Sequence, residues 1–191
     1  MRQVGTDRRS QRTRQLLMEA LTGLIQTKRY ESITVQEITD RANVGRSTFY
    51  AHFTDKDDLL VDGVRHMVGG LEYDEPGPRN TLAPSLGLFH HVESHSDHYQ
   101  MMARGLHFTL FLDALQGELT AMFAERLAPR VPAEGEPRVP VPLLAAMLAG
   151  MLITAVRTWL ESDMSSSAEE VNRSFLVAAE AALRAGLRPP P

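Results

Sequence analysis

No cysteine occurs anywhere in the 191 residues. Its absence removes disulfide bridges and thiolate metal sites together, and it suits a protein kept in the reducing cytoplasm. Aromatic residues are scarce too, at 6% with one tryptophan, so aliphatic side chains must build most of the core. The chain also lacks a phosphate-binding P-loop, a dinucleotide-binding glycine pattern, a nucleophile elbow and a zinc-hydrolase motif. With these missing, no enzyme activity and no cofactor are expected. No apolar stretch follows the arginine-rich opening, so a secretory leader is not expected. The one long uncharged run, Val139 to Val156, approaches the ~20 residues of a membrane span. It starts with Pro140 and Pro142 and contains Gly150 and Thr154, which reads better as a tightly packed core helix than as a membrane segment.

What is present is a 43% hydrophobic composition, enough for a folded core, and a charge distribution that the total of −4 hides. Met1 to Lys56 holds ten Lys/Arg against six Asp/Glu, a net +4, which leaves −8 for the remainder. A basic head on an acidic body suggests that only the head meets phosphate. An arginine-rich start that is merely solvated would give the same tally, so charge alone does not decide.

Helical periodicity dominates the chain and strand signals are weak. A first helix is expected over about 8–28, with Leu17, Leu21, Leu24 and Ile25 on one face. Thr34 and Glu37, three apart, form a capping box that starts a second helix with Val35, Ile38 and Ala42 inward. Asn43-Val44-Gly45 ends it, since Asn and Gly accept turn conformations. A short third helix over about 46–53 and a fourth from Thr54 to Asp57 onward come after it. Asp74-Glu75-Pro76-Gly77-Pro78 reads as a hinge. Helices are then expected near 81–94, 97–103 and 105–128, and beyond a proline-rich loop at 143–162 and 167–187.

The third helix carries the functional argument. With Phe49 and Phe53 turned to the core, its outer face presents Arg46, Ser47, Thr48, Tyr50 and His52. A helix fits the major groove of DNA while a neighbouring helix braces it on the backbone, and Arg46 suits a bidentate contact to a guanine edge. Thr34 and Lys56 would stand at helix starts, where amides and an ammonium can meet phosphate. A three-helix core with an incidentally polar surface would show the same periodicity.

The stretch Thr34-Val-Gln-Glu-Ile-Thr-Asp-Arg-Ala-Asn-Val-Gly-Arg-Ser-Thr-Phe-Tyr-Ala-His-Phe53, followed by Thr-Asp-Lys-Asp-Asp-Leu-Leu60, resembles the DNA-binding head of the TetR family. The resemblance extends over about residues 9–70. It implies an all-α, nine-helix fold, with a helix-turn-helix domain at 9–70 (motif 34–53) and an effector-binding and dimerisation domain at 74–188. It implies DNA contacts from Thr34, Arg46, Ser47, Thr48, Tyr50, His52 and Lys56, with Arg8, Arg9 and Arg12 adding to them. One departure is Arg29, which precedes Tyr30 where members usually have glycine. If that position were left-handed, the side chain would cost about 1–2 kcal/mol.

The same resemblance implies a homodimer through the last two helices, a palindromic double-stranded DNA operator, and a small-molecule effector that releases a repressor. Within the body, Arg104, His107, Phe108, Phe111, Met147 and Arg157 are the expected ligand contacts, with Met101, Met102, Leu106, Leu110, Met122 and Phe123 as further wall. Five histidines (His90, His91, His95, His98 and His107) cluster in one region. A helix could align them as metal ligands, but a solvated turn is the preferred reading and no metal is assigned. The competing function is a nucleoid-associated or protein-partner-controlled DNA-binding protein with no small-molecule ligand. A body filled solid would favour it.

Overall fold

The structure, a computed structural model, describes residues 3–71, 82, 84–103, 108–131 and 136–188. Among them are nine α-helices and no strand: α1 (Gln3–Ile25), α2 (Val35–Ala42), α3 (Arg46–Tyr50), α4 (Lys56–Leu71), α5 (Pro84–Ser94), α6 (Ser96–Ala103), α7 (Phe108–Leu127), α8 (Val141–Glu161) and α9 (Ala168–Gly186). The expected hinge at 74–78 lies outside the described residues, as do Arg104, Leu106 and His107.

Local chemistry explains the boundaries in the head. Thr34 Oγ1 accepts from the Glu37 amide, and the Glu37 carboxylate accepts from the Thr34 amide, so the expected capping box opens α2. Lys28 adds an ion pair to Glu37 at 2.7 Å. This ion pair, then the amide and hydroxyl of Thr34, hold the Glu37 carboxyl at about 2, well below the ordinary carboxylate range. At the other end of α2 it is Asn43 that turns left-handed (φ 53°), while Gly45 keeps φ −74°. The helix stop therefore belongs to Asn43. Arg29 has φ −62° and ψ 135°, which any residue adopts, so the missing glycine carries no strain.

Proline and serine set the boundaries of the body. Pro84 opens α5, and Pro140 and Pro142 flank the first residue of α8, where a helix has no use for their missing N–H groups. Ser167 and Glu170 repeat the capping box at the start of α9.

In the head, Leu17, Leu21 and Ile25 of α1 meet Ile38 of α2, Phe49 of α3 and Leu59 of α4, all buried. In the body, α7 is the central post, packed on α8 and on α4, while α5 and α8 each pack on α9. Ser85 of α5 donates to Asn172 Oδ1 of α9 at 2.6 Å, tying two helices through a buried polar pair. The only tryptophan, Trp159, closes the α8–α9 corner: its ring N–H donates to the Ser166 carbonyl, and its ring meets Phe89 edge to face. Helix α8 is long and apolar enough to cross a membrane, but half of its most apolar window is buried inside the protein. Buried side chains form one cluster from Leu17 to Leu183, so head and body share a continuous core.

Candidate nucleic-acid interface and ligand cavity

Helix α3 has only five residues, and packing is what orients it. Phe49 is fully buried, its ring 5.4 Å from Tyr50 and 5.8 Å from Phe53. The Arg14 guanidinium of α1 lies over Phe53 at 5.3 Å and pairs with Asp62 of α4 at 2.8 Å. One apolar anchor and one cation thus fix α3 against α1 and α4. Opposite the anchor, Arg46, Ser47 and Tyr50 are exposed, and Thr48 and His52 are half-buried. Arg46 lies over the Tyr50 ring at 5.9 Å, so the two share one outward patch. Thr34 is exposed at the start of α2. The aligned backbone dipoles there favour an anion.

Lys56 departs from expectation. Its ammonium donates to the carbonyls of Tyr30 (2.7 Å), Glu31 (3.2 Å) and Ile33 (3.0 Å), and lies 4.5 Å from the Tyr30 ring centroid. An ammonium has three protons, and three carbonyls take them. In this structure Lys56 braces the α1–α2 turn onto α4. The Tyr30 hydroxyl supports the same joint by donating to Asp57 at 2.6 Å. Bonds to a charged donor are worth about 1.5–3 kcal/mol net. Lys56→Met is accordingly expected to destabilise the chain by about that amount in urea unfolding, with no change in the slope of DNA affinity against salt. A true phosphate contact would lower that slope by about one.

In the body, the expected ligand residues separate. Met147 is 48% exposed and Arg157 is also on the outer face of α8. Neither lines the cavity between head and body. Arg104 and His107 lie outside the described residues. Phe108 stacks on Phe111 at 6.2 Å, and Phe111 does reach the cavity.

That cavity, of about 510 Å³, lies where head meets body. Phe111 of α7 and Met102 and Tyr99 of α6 form one side, and Leu60, Val64 and Met67 of α4 another. Helix α1 closes it with Met18, Leu21, Thr22, Ile25 and Gln26. His66 of α4 and His91 and His95 of the α5–α6 corner complete the lining. Sequence reasoning missed the α1 wall and His66, and weighed His91 and His95 only as metal ligands or a solvated turn. The available signal was Gly63 and Gly70, seven apart on α4, which take side chains away from the same face. Of the clustered histidines, His90 pairs with Glu169 of α9 at 2.9 Å, and His91 and His95 stack at 4.5 Å where α5 ends.

A second hollow, a shallow groove of about 710 Å³, runs between α8 and α9 past Gly150, Thr154, Trp159 and Phe175. On the same two helices Leu143 (54%), Met147 and Val177 (69%) leave large apolar surface in water.

Comparison with known proteins gives a consistent result. Residues 17–62 match the family described as bacterial regulatory proteins, tetR family. A protein of Bacillus subtilis (strain 168), the uncharacterized HTH-type transcriptional regulator YxbF, is 42% identical over 55 residues, which are 28% of this chain and 14% of that protein. Among solved structures, a TetR transcriptional regulator from Streptococcus agalactiae 2603V superposes over 92% of this chain and 98% of its own, with TM-score 0.61 and 25% identity. Thermus thermophilus FadR, a TetR-family transcriptional repressor in complex with lauroyl-CoA, covers 93% and 98% with TM-score 0.56 and 18% identity. A head matched in sequence and a body matched in fold agree: residues 17–62 match the tetR-family regulatory proteins, and the chain as a whole has the fold of solved TetR regulators.

Proposed function

We propose that the chain is a cytoplasmic homodimeric repressor that holds a palindromic operator through α3 and releases it when a small molecule enters the head–body cavity. The observation that carries this reading is the division of α3. Phe49 is locked into the core while Arg46, Ser47 and Tyr50 project together from the opposite side. In the complex, Arg46 reads a base edge, Ser47, Thr48, Tyr50 and His52 divide between phosphate and base edges, and the amide end of α2 with Thr34 receives a phosphate.

A second copy completes the reader. Pairing α8 and α9 with their symmetry mates covers Leu143, Met147 and Val177 and sets two heads about one turn of DNA apart, roughly 34 Å. The effector acts by binding the spacing of heads that does not fit DNA more tightly than the spacing that does. A cavity between head and body favours this reading over control by a protein partner alone. FadR of T. thermophilus supports it by analogy, since its small-molecule complex is built on the same fold.

The test is a gel-shift titration with the chain's own upstream DNA at several salt concentrations. Retention of one palindromic fragment, weakening steeply with salt, is expected. Equal retention of all fragments would return the chain to the nucleoid-associated class.

A further inference from the structure

We infer that Met18, seated on Gly63, sets the length of apolar ligand that the head–body cavity accepts. The inference rests on the reading of this cavity as the effector site and names the residue that selects among its ligands. An outer cleft of about 420 Å³ lies between α1 and α4. Its walls are polar: Gln11, Arg14, Gln15 and Glu19 of α1 face Asp62 of α4. Met18, Gly63 and His66 line this cleft and the head–body cavity alike. The two spaces therefore back onto the same side chains, with Met18 as the partition.

Gly63 makes room for that partition. A Cβ at Gly63 would lie 2.1 Å from Met18 Cε and 2.7 Å from Sδ, so a side chain there would evict the thioether end. Once seated, Met18 is held weakly. It is half-buried, and its sulfur, a weak acceptor, takes one long contact from the Thr22 hydroxyl at 3.8 Å. An unbranched thioether with three rotatable bonds adapts readily to what lies beside it. On the cavity side the lining includes Leu21, Ile25, Leu60 and Val64. On the cleft side stands the Arg14–Asp62 ion pair, closed at 2.8 Å. A chain extending through the cavity thus gains apolar burial with each methylene until it reaches Met18. Beyond it the chain must displace the thioether and lie among charged groups, where a further methylene gains little.

Straight-chain primary alcohols from hexanol to dodecanol are the probes, titrated calorimetrically into the full-length chain without DNA. Affinity is expected to rise roughly fourfold per methylene and then level off at one chain length. Met18→Ala should move that limit outward by about three methylenes, matching the Cγ, Sδ and Cε that alanine lacks. Met18→Leu keeps the bulk and should leave the limit in place. The inference is overturned if the unmodified chain shows no limit within the series, or if Met18→Ala leaves the limit where it was. Should Met18→Ala fail to fold, Gly63→Ala decides: its methyl displaces the thioether end, so an unmoved limit there is equally fatal. If none of the alcohols binds, the reading of the cavity as a ligand site falls, and the inference with it. A limit that ignores Met18 sinks the inference alone and leaves the effector site standing.

Discussion

Replacing Arg46 and Tyr50 together with alanine is expected to weaken operator binding by roughly a hundredfold or more, with the unfolding midpoint unmoved. A good base-edge contact is worth about 1–3 kcal/mol, and a dimer would make each one twice. The stability half of the prediction comes from placement: Arg46 and Tyr50 lie on the exposed side of α3, and Tyr50 is 52% exposed. Exposed substitutions away from special features usually move stability by about 0.5 kcal/mol or less. Their shared contact, the guanidinium over the ring at 5.9 Å, joins two surface groups and is not part of the core. Fluorescence anisotropy with a labelled operator gives the affinity, and thermal unfolding gives the stability. Full affinity in the double variant would remove α3 from the interface and the repressor proposal with it. Phe49→Ala is the opposite control. It empties a fully buried site at a cost of about 3–5 kcal/mol and should abolish binding by unfolding the head.

Val177→Glu is the second substitution with a large expected effect. In the single chain Val177 is 69% exposed, so glutamate there leaves the protomer's own packing alone. In a four-helix interface the same carboxylate would lose its water beside the symmetry-related apolar face, at a cost of several kcal/mol per charge. Sedimentation should show a monomer of 21.3 kDa with unchanged helicity. Operator affinity should drop by about 10²–10⁴-fold, because two tethered heads gain an avidity that separate heads lack. A dimer that persists through this change would place the interface elsewhere.

These particulars show which parts of the molecule sequence could convey. Local hydrogen-bonding rules are written in a few adjacent residues, so Thr34 with Glu37 announced α2 and the run after Gly45 announced the reading helix. Asn43, not Gly45, takes the left-handed turn, because pattern identifies a breaker without saying which of two candidates breaks. The bracing contacts of Lys56 were hidden for a related reason. A lysine near a helix start looks the same whether it reaches outward to phosphate or back across 23 to 26 positions to three carbonyls. Only the closure of the α1–α2 turn decides between them.

Met147 and Arg157 illustrate a different limit. Helix α8 is apolar on two sides, with Leu144, Leu148 and Leu152 buried against its own body and Leu143 and Met147 facing out. Periodicity finds both stripes but cannot rank them, because a second protomer and an internal core ask for the same residues. The cavity was least legible of all. Its wall joins Met18, Thr22 and Gln26 of α1 to residues more than 80 positions away on α7, and no local pattern records that meeting.

The double duty of α1 bears on how such proteins can be recombined. The helix supports α3 through Arg14 and Phe53, and its other side closes the head–body cavity through Met18, Leu21 and Ile25. A chimera that grafts a foreign operator-reading segment onto this body would import part of a foreign sensor as well. Under the proposed function, specificity for DNA and for inducer are therefore not interchangeable modules here. A working hybrid would have to keep the native inner face of α1 and exchange only α2 and α3.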